Sequence, residues 1–384
     1  MQNKNRSYQA DRGLAERKRR RMIRNWVIVV LVLALGLIGI RLLSHVGETT
    51  EMTAVPLSAA ADQSVTPFGA DLLYYDQASI HCLASNGALR WSFPVGSGAR
   101  FSVSDTHLVI WVGSQVYIVD HNGRPSYNEA MQGEVRFARV GARYAAIIVG
   151  EETAPTLIVK DLQGGQVDEE TEAFSNLMMM DVGFYGDSDQ YLWTLALDVY
   201  GTGINTVMNT FQVGKMNTGE VSISDRLAYK VLFANNRLRV FTTQQLFSYD
   251  YKAVMDTNNT LLIYGWEAVD AHIPDRGEAN ILLVPTGQSG SMTSISQLRV
   301  LTGEEDRRYT LPTSCIGAMV DGQSVYAFST DYIYRSDLRN QRFYAYDMPL
   351  PADTQATAYL GTTDDGHALL AAGNTVYSVS LPKR

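Results

Sequence analysis

One pattern recurs along residues 72–381 and limits the fold more than any other. It is a short apolar strand, a tight turn, a second strand ending in Asp or Asn plus a small residue, and then a glycine turn. LLYYDQASIHCLASNGALRW (72–91) and LVIWVGSQVYIVDHNGRPSY (108–127) carry it most clearly. AAIIVGEETAPTLIVKDLQGGQV (145–167), VYAFSTDYIYRSDLRNQRFY (325–344) and ALLAAGNTVYSVSL (368–381) repeat it. No helical periodicity lasts beyond about two turns after the first fifty residues. The clearest strands are 72–76, 107–113, 116–120, 144–150, 156–162, 191–197, 238–242, 281–285, 324–329, 331–337 and 375–381, all rich in Val, Ile, Tyr, Phe and Leu.

Equivalent points in these units lie about 36 to 50 residues apart, the period of four-stranded propeller blades. One small sheet cannot bury both of its faces, whereas sheets stacked round a ring do. The expected fold is therefore all-β, a β-propeller of seven or eight four-stranded blades, preceded by one transmembrane helix. Eight is preferred, because residues 53–384 divide into eight units of about 41. The C-terminal unit offers three strands, near 356–362, 367–373 and 375–381, and MTAVPLS (52–58) is the candidate fourth, pairing the two ends of the ring.

Unit 71–96 resembles the repeat of quinoprotein-like (PQQ-type) and WD-repeat-like propellers. Asn86-Gly87-Ala88-Leu89-Arg90-Trp91 matches the Gly-x-x-x-Trp element by which that repeat turns and docks, and elsewhere Tyr or Phe replaces the Trp. The layout of basic arm, single span and propeller of roughly 330 residues is similar to a family of membrane-anchored propellers from Gram-positive bacteria. The resemblance implies a fold and an anchor, and brings no activity with it.

The N-terminal segment sets the expected location. Residues 1–24 hold nine Lys/Arg against two acids, and an apolar run follows from Trp26 to Ile40. With Arg24 and Arg41 snorkelling to the interfaces, residues 25–43 form a transmembrane helix long enough for a hydrocarbon core of about 30 Å. Positive charge beside a span stays cytoplasmic, so the domain after it is expected outside the cell membrane. A cleaved leader is the competing reading, but the small-residue site Ala59-Ala60-Ala61 lies too far beyond the apolar run. The expected domains are a cytoplasmic arm (1–24), the span (25–43), a linker with a possible ring-closing strand (44–66) and an extracytoplasmic propeller (67–384).

The chain's net charge of −8 hides a division. The first 24 residues carry +7 and Arg41 adds one cation, which leaves −16 after the span. So acidic a domain is repelled by nucleic acid, by anionic headgroups and by wall polymers, and no nucleic-acid partner is expected.

No set of residues stands out as catalytic, cofactor-binding or metal-ligating. Quinone-cofactor chemistry lacks its adjacent-cysteine element. The two cysteines, Cys82 and Cys315, lie in separate apolar strands and are expected as free thiols. His45, His81, His107, His121, His272 and His367 show no metal-site spacing. The acidic runs 168–170, 187–189 and 364–365 lack the ligand count of a calcium loop and suit turns. GTGIN (201–205) lacks the Lys-Ser/Thr of a phosphate loop, and no Gly-x-Ser-x-Gly elbow occurs. Met178-Met179-Met180 and the tyrosines 326, 332, 334, 344 and 346 suit either a contact surface or packing between blades. The expected function is a non-enzymatic binding or assembly module at the cell envelope. Its partners would be the bilayer, through residues 25–43, and an envelope protein or wall component. A hydrolase or lyase with carboxylates in the propeller funnel is the alternative.

Overall fold

The second and third strands of each repeat are uninterrupted apolar runs, and such runs form only where both faces of a sheet are covered. The structure, a computed structural model describing residues 51–274, 276–287 and 294–382, shows how they are covered. Eight antiparallel sheets of four strands follow one another round a ring. Blades 1 to 7 span residues 66–94, 100–130, 135–170, 177–224, 228–262, 266–315 and 317–347. Blade 8 takes its first three strands from 358–380 and its fourth from Ala54–Ala60. The eight-bladed form is thus the one present. The expected arm and span, 1–24 and 25–43, lie outside the described residues. Among the described residues no helix is long and apolar enough to cross a membrane.

Ring closure is antiparallel, with Ala54 opposite Val379, Val55 opposite Ser378 and Pro56 opposite Tyr377. The Thr53 N–H donates to Ser380 Oγ (2.8 Å), and the Ser380 N–H donates to the Thr53 carbonyl (3.0 Å). Leu57 and Ala59 then pack with Leu72, Tyr74, Leu83, Leu369 and Val376 at the seam of blades 8 and 1.

The Asp that ends many third strands has a defined task. Asp120 Oδ1 accepts from the N–H groups of Asn122 (2.9 Å) and Arg124 (2.8 Å). Asp161 Oδ1 holds Gln163 and Gly165 in the same way, and Asp250 Oδ1 holds Lys252 and Val254. These side-chain turns reverse the chain into the fourth strand without leaving backbone donors unmet.

The glycine turns receive the preceding blade. Trp91, on the fourth strand of blade 1, donates from Nε1 to the His121 carbonyl (2.9 Å) and lies against Gly123 in the turn of blade 2. Tyr127 occupies the equivalent place on blade 2 and lies against Gly164 of blade 3, with Lys160 Nζ over its ring at 4.8 Å. In blade 3 an acid takes over, and Asp168 Oδ2 accepts from the Gly214 N–H (3.2 Å). On the outer side of blade 8, Val55 and Leu57 meet the Gly87 turn of blade 1.

Cys82 and Cys315 are free and buried, and burial pushes both thiols up to about 12. Only the thiolate is nucleophilic. Neither cysteine of the folded chain should react with a maleimide at pH 8 within an hour, and both should react in denaturant. Mass spectrometry of the labelled protein checks this, and labelling of the native form would contradict it.

Candidate functional site

The first strands of the blades neighbour one another round the axis, and they carry charges that a strand pattern alone would place at random. Five of them slip register: one between Val135 and Phe137, and four between Met179 and Asp181, Ala228 and Lys230, Ala268 and Asp270, and Tyr359 and Gly361. A bulge inserts one residue and re-aims the side chains after it. Asp181, Lys230, Asp270 and Gly361 stand directly after the last four slips.

Each of the four then meets a neighbouring blade. Asp181 Oδ1 pairs with Arg139 Nε of blade 3 (2.9 Å). Lys230 Nζ donates to the Ala268 carbonyl of blade 6 (3.4 Å). Asp270 Oδ2 accepts from the Val320 N–H of blade 7 (2.8 Å). A Cβ on Gly361 would lie 2.6 Å from Pro67 Cγ of blade 1, so the bare glycine backbone seats the Pro67 ring there. The link between blades 7 and 8 is Thr362 Oγ1 donating to Met319 Sδ (2.9 Å). The inner ring is thereby stitched between blades 3 and 4, and again from blade 5 round to blade 1.

A cavity of about 950 Å³ opens between the first strands of blades 6, 7 and 8, with Pro67 of blade 1 on its wall. Val269, Ile316, Met319 and Leu360 give it apolar sides. Asp270, Asp321 and Asp364 give it negative charge, against His272 as the one basic side chain among its described lining residues. His272 Nδ1 lies 3.5 Å from Asp321 Oδ1. The Tyr359 hydroxyl shares a hydrogen bond with Thr362 Oγ1 (2.8 Å), its ring stacks on Phe328, and burial pushes its pKa up. A volume of this size accepts a small molecule or a few side chains of a partner.

The Asp270 carboxyl on this wall is perturbed. Burial raises its pKa, opposed by the Val320 and Ala271 N–H groups and by the charges of Lys230 and His272. Burial also lowers Lys230, which Asp270 and Glu267 partly restore. A carboxyl raised in the fold holds its proton more tightly than in the unfolded chain. Its stabilising contribution is complete below the unfolded value and is lost as pH rises through the folded one. Asp270→Asn keeps an acceptor for Val320, so its stability relative to wild type should rise between pH 4 and pH 7. Urea unfolding at the two pH values measures this, and a relative fall would contradict the assignment.

The other residues singled out from sequence are dispersed. His81 lies between Asp76 (2.8 Å) and Ser92 (2.7 Å), His107 beside Thr106, His121 beside Asp71 and His367 beside Asp365. His45 lies outside the described residues. In the three acidic runs Asp189 accepts from the Arg143 N–H, Glu170 from the Ala173 N–H, Glu169 from Gln166 Nε2, and Asp365 from the Ser85 and Thr363 hydroxyls. Residues 201–204 lie in a hairpin loop of blade 4. Met179, Tyr326 and Tyr334 are buried between blades, whereas Tyr332 and Tyr344 are exposed. The channel charges Arg139, Asp181, Lys230, Asp270 and Asp321 went unremarked in the sequence. Their signal is a charge inside an otherwise strand-like run, as in AYKVLF and AVDAH, where an ion needs a partner.

Fold and channel together define an eight-bladed β-propeller with a cavity beside its axis. Two solved structures are similar to the chain. Saccharomyces cerevisiae Sqt1 matches 86% of this chain with 100% of its own, at 9% identity and a TM-score of 0.55. BamB from Moraxella catarrhalis matches 87% of this chain with 98% of its own, at 10% identity and a TM-score of 0.51. No family model and no curated protein matches the sequence. At such identities the likeness carries the fold alone.

Proposed function

We propose that this chain is a membrane-anchored, non-enzymatic binding or assembly module of the cell envelope. In this reading residues 25–43 span the bilayer, residues 1–24 stay cytoplasmic, and the propeller stands outside, as in the membrane-anchored propellers of Gram-positive bacteria that its layout resembles. The observation that carries the binding role is the state of the channel charges. Asp181, Lys230 and Asp270 are committed to neighbouring blades, and Asp321 lies beside His272, so these charges serve to hold the inner strands together, and two of them, Asp270 and Asp321, do so on the cavity wall. The basic segment ahead of an apolar run supports the anchor, and the charge of −16 after it argues for a protein partner over nucleic acid.

Proximity labelling in the native cell, with the labelling enzyme fused after Arg384, tests both parts. Envelope or secretion proteins are the expected products. Labelling of cytoplasmic proteins alone would overturn the topology and with it the envelope role.

The raised pKa of Asp270 on a cavity wall favours one second reading, a hydrolase or lyase using this carboxyl as general acid. Turnover of a glycan panel by the wild type, abolished in Asp270→Asn, would establish that reading.

A further inference from the structure

Antiparallel order puts two kinds of connection on one face of the ring: those from second to third strand within a blade, and those from one blade to the next. Over blades 3 to 5 this face is strongly acidic. Its loops 131–134, 151–154, 171–176 and 225–227 expose Glu134, Glu151, Glu152, Glu172 and Asp225. The cations there are occupied. Arg226 lies over the Phe247 ring (5.5 Å), and Arg136 Nε donates to the Gly150 carbonyl (2.7 Å).

Large apolar side chains stand among these acids. Tyr200 is 69% exposed and Ile204 54%, both in the hairpin loop of blade 4, and Tyr264, between blades 5 and 6, is 74% exposed. On blades 3 and 4 a cleft of about 230 Å³ is lined by Phe137, Pro155, Met178 and Met179, with Glu152 and Arg136 at its edge. Exposed aromatics on the same face as a methionine-lined cleft are the composition of a contact surface.

We propose that this face docks a basic segment of a partner protein, with Lys or Arg side chains among the carboxylates and an apolar side chain in the methionine cleft. Charge complementarity selects that occupant. A second copy would set acid against acid, and anionic headgroups would be repelled. The inference rests on the binding-module reading and gives it a surface and a partner chemistry.

The test uses the full chain in detergent and a fluorescein-labelled peptide of repeated Lys-Arg-Leu. Three double variants are compared: Tyr200→Ala/Ile204→Ala, Glu151→Lys/Glu152→Lys and, on the opposite face, Asp105→Lys/Glu304→Lys. Binding that weakens with salt and falls about tenfold in the first two alone supports the proposal. Equal affinity in all forms, or an equal loss in the third, overturns it. The proximity labelling above is then repeated with Tyr200→Ala/Ile204→Ala. Unchanged recovery of an envelope partner overturns this face while leaving the module reading intact. Selective loss of a partner that crosslinks, from a photoreactive residue at position 200, through a Lys/Arg-rich segment supports it.

Discussion

Gly164→Ala is expected to destabilise the propeller by about 3 kcal/mol, the sum of a backbone strain and a steric clash each of about 1–3 kcal/mol. The turn holds Gly164 at φ +89°, a conformation open to glycine and costly to alanine. An added methyl would also lie inside the van der Waals envelope of Tyr127 Cδ2. That ring cannot retreat easily, because it is buried, and its strand is tied to blade 3 by Ser126 Oγ donating to the Leu162 carbonyl. Gly96→Ala separates the two causes. Gly96 has nearly the same φ, +85°, but nothing lies within 4 Å of its would-be Cβ. Urea denaturation should therefore show a loss for Gly96→Ala of about 1 kcal/mol, well below that for Gly164→Ala. Equal losses would show that the docking contact contributes little.

Leu57→Asp is expected to be more severe still, opening the ring. Leu57 is 6% exposed and packs between blades 8 and 1, so an aspartate there would bury a charge among Leu72, Leu369 and Val376 with no cation beside it in that cluster. Loss of Ala54–Ala60 from the sheet would turn Thr375–Ser380 into an unpaired edge, a template for pairing with another chain. The variant should lose more than about 4 kcal/mol and aggregate on purification. Leu57→Ala, losing about 2–5 kcal/mol through a cavity, keeps the test quantitative where the aspartate form is insoluble. A monomeric Leu57→Asp protein of wild-type stability would show that the ring does not depend on this seam.

The eleven strands clearest in the sequence all occupy the two central positions of their blades. LLYYD, HLVIWVG, YAAIIVG, YLWTLAL, LRVFT, ILLVP and SVYAFS are second strands, and VYIVD, TLIVKDL, DYIYRSD and TVYSVSL are third strands. These central strands are covered on both faces by adjoining blades, so their apolar runs are local and continuous. Fourth strands such as Leu89–Pro94 alternate between half-buried and exposed, and first strands are broken by bulges. Both types lie close to an average loop in composition.

The candidate site was less legible for the same reason. Lys230, Asp270 and Val320 come from blades 5, 6 and 7, and nothing in the residues near each one specifies the others. The docking of Trp91 was readable, because its glycine turn belongs to a repeating unit and the aromatic returns as Tyr127 in the next.

By itself the sequence determined the β class, the blade period, the side-chain turns at Asp120 and Asp161 and the free thiols, because each follows from a few neighbouring residues. Only the tertiary structure decided which charges face the channel and which carbonyl or carboxylate each one meets. Those choices depend on first strands some forty or more residues apart that meet only once the ring has closed.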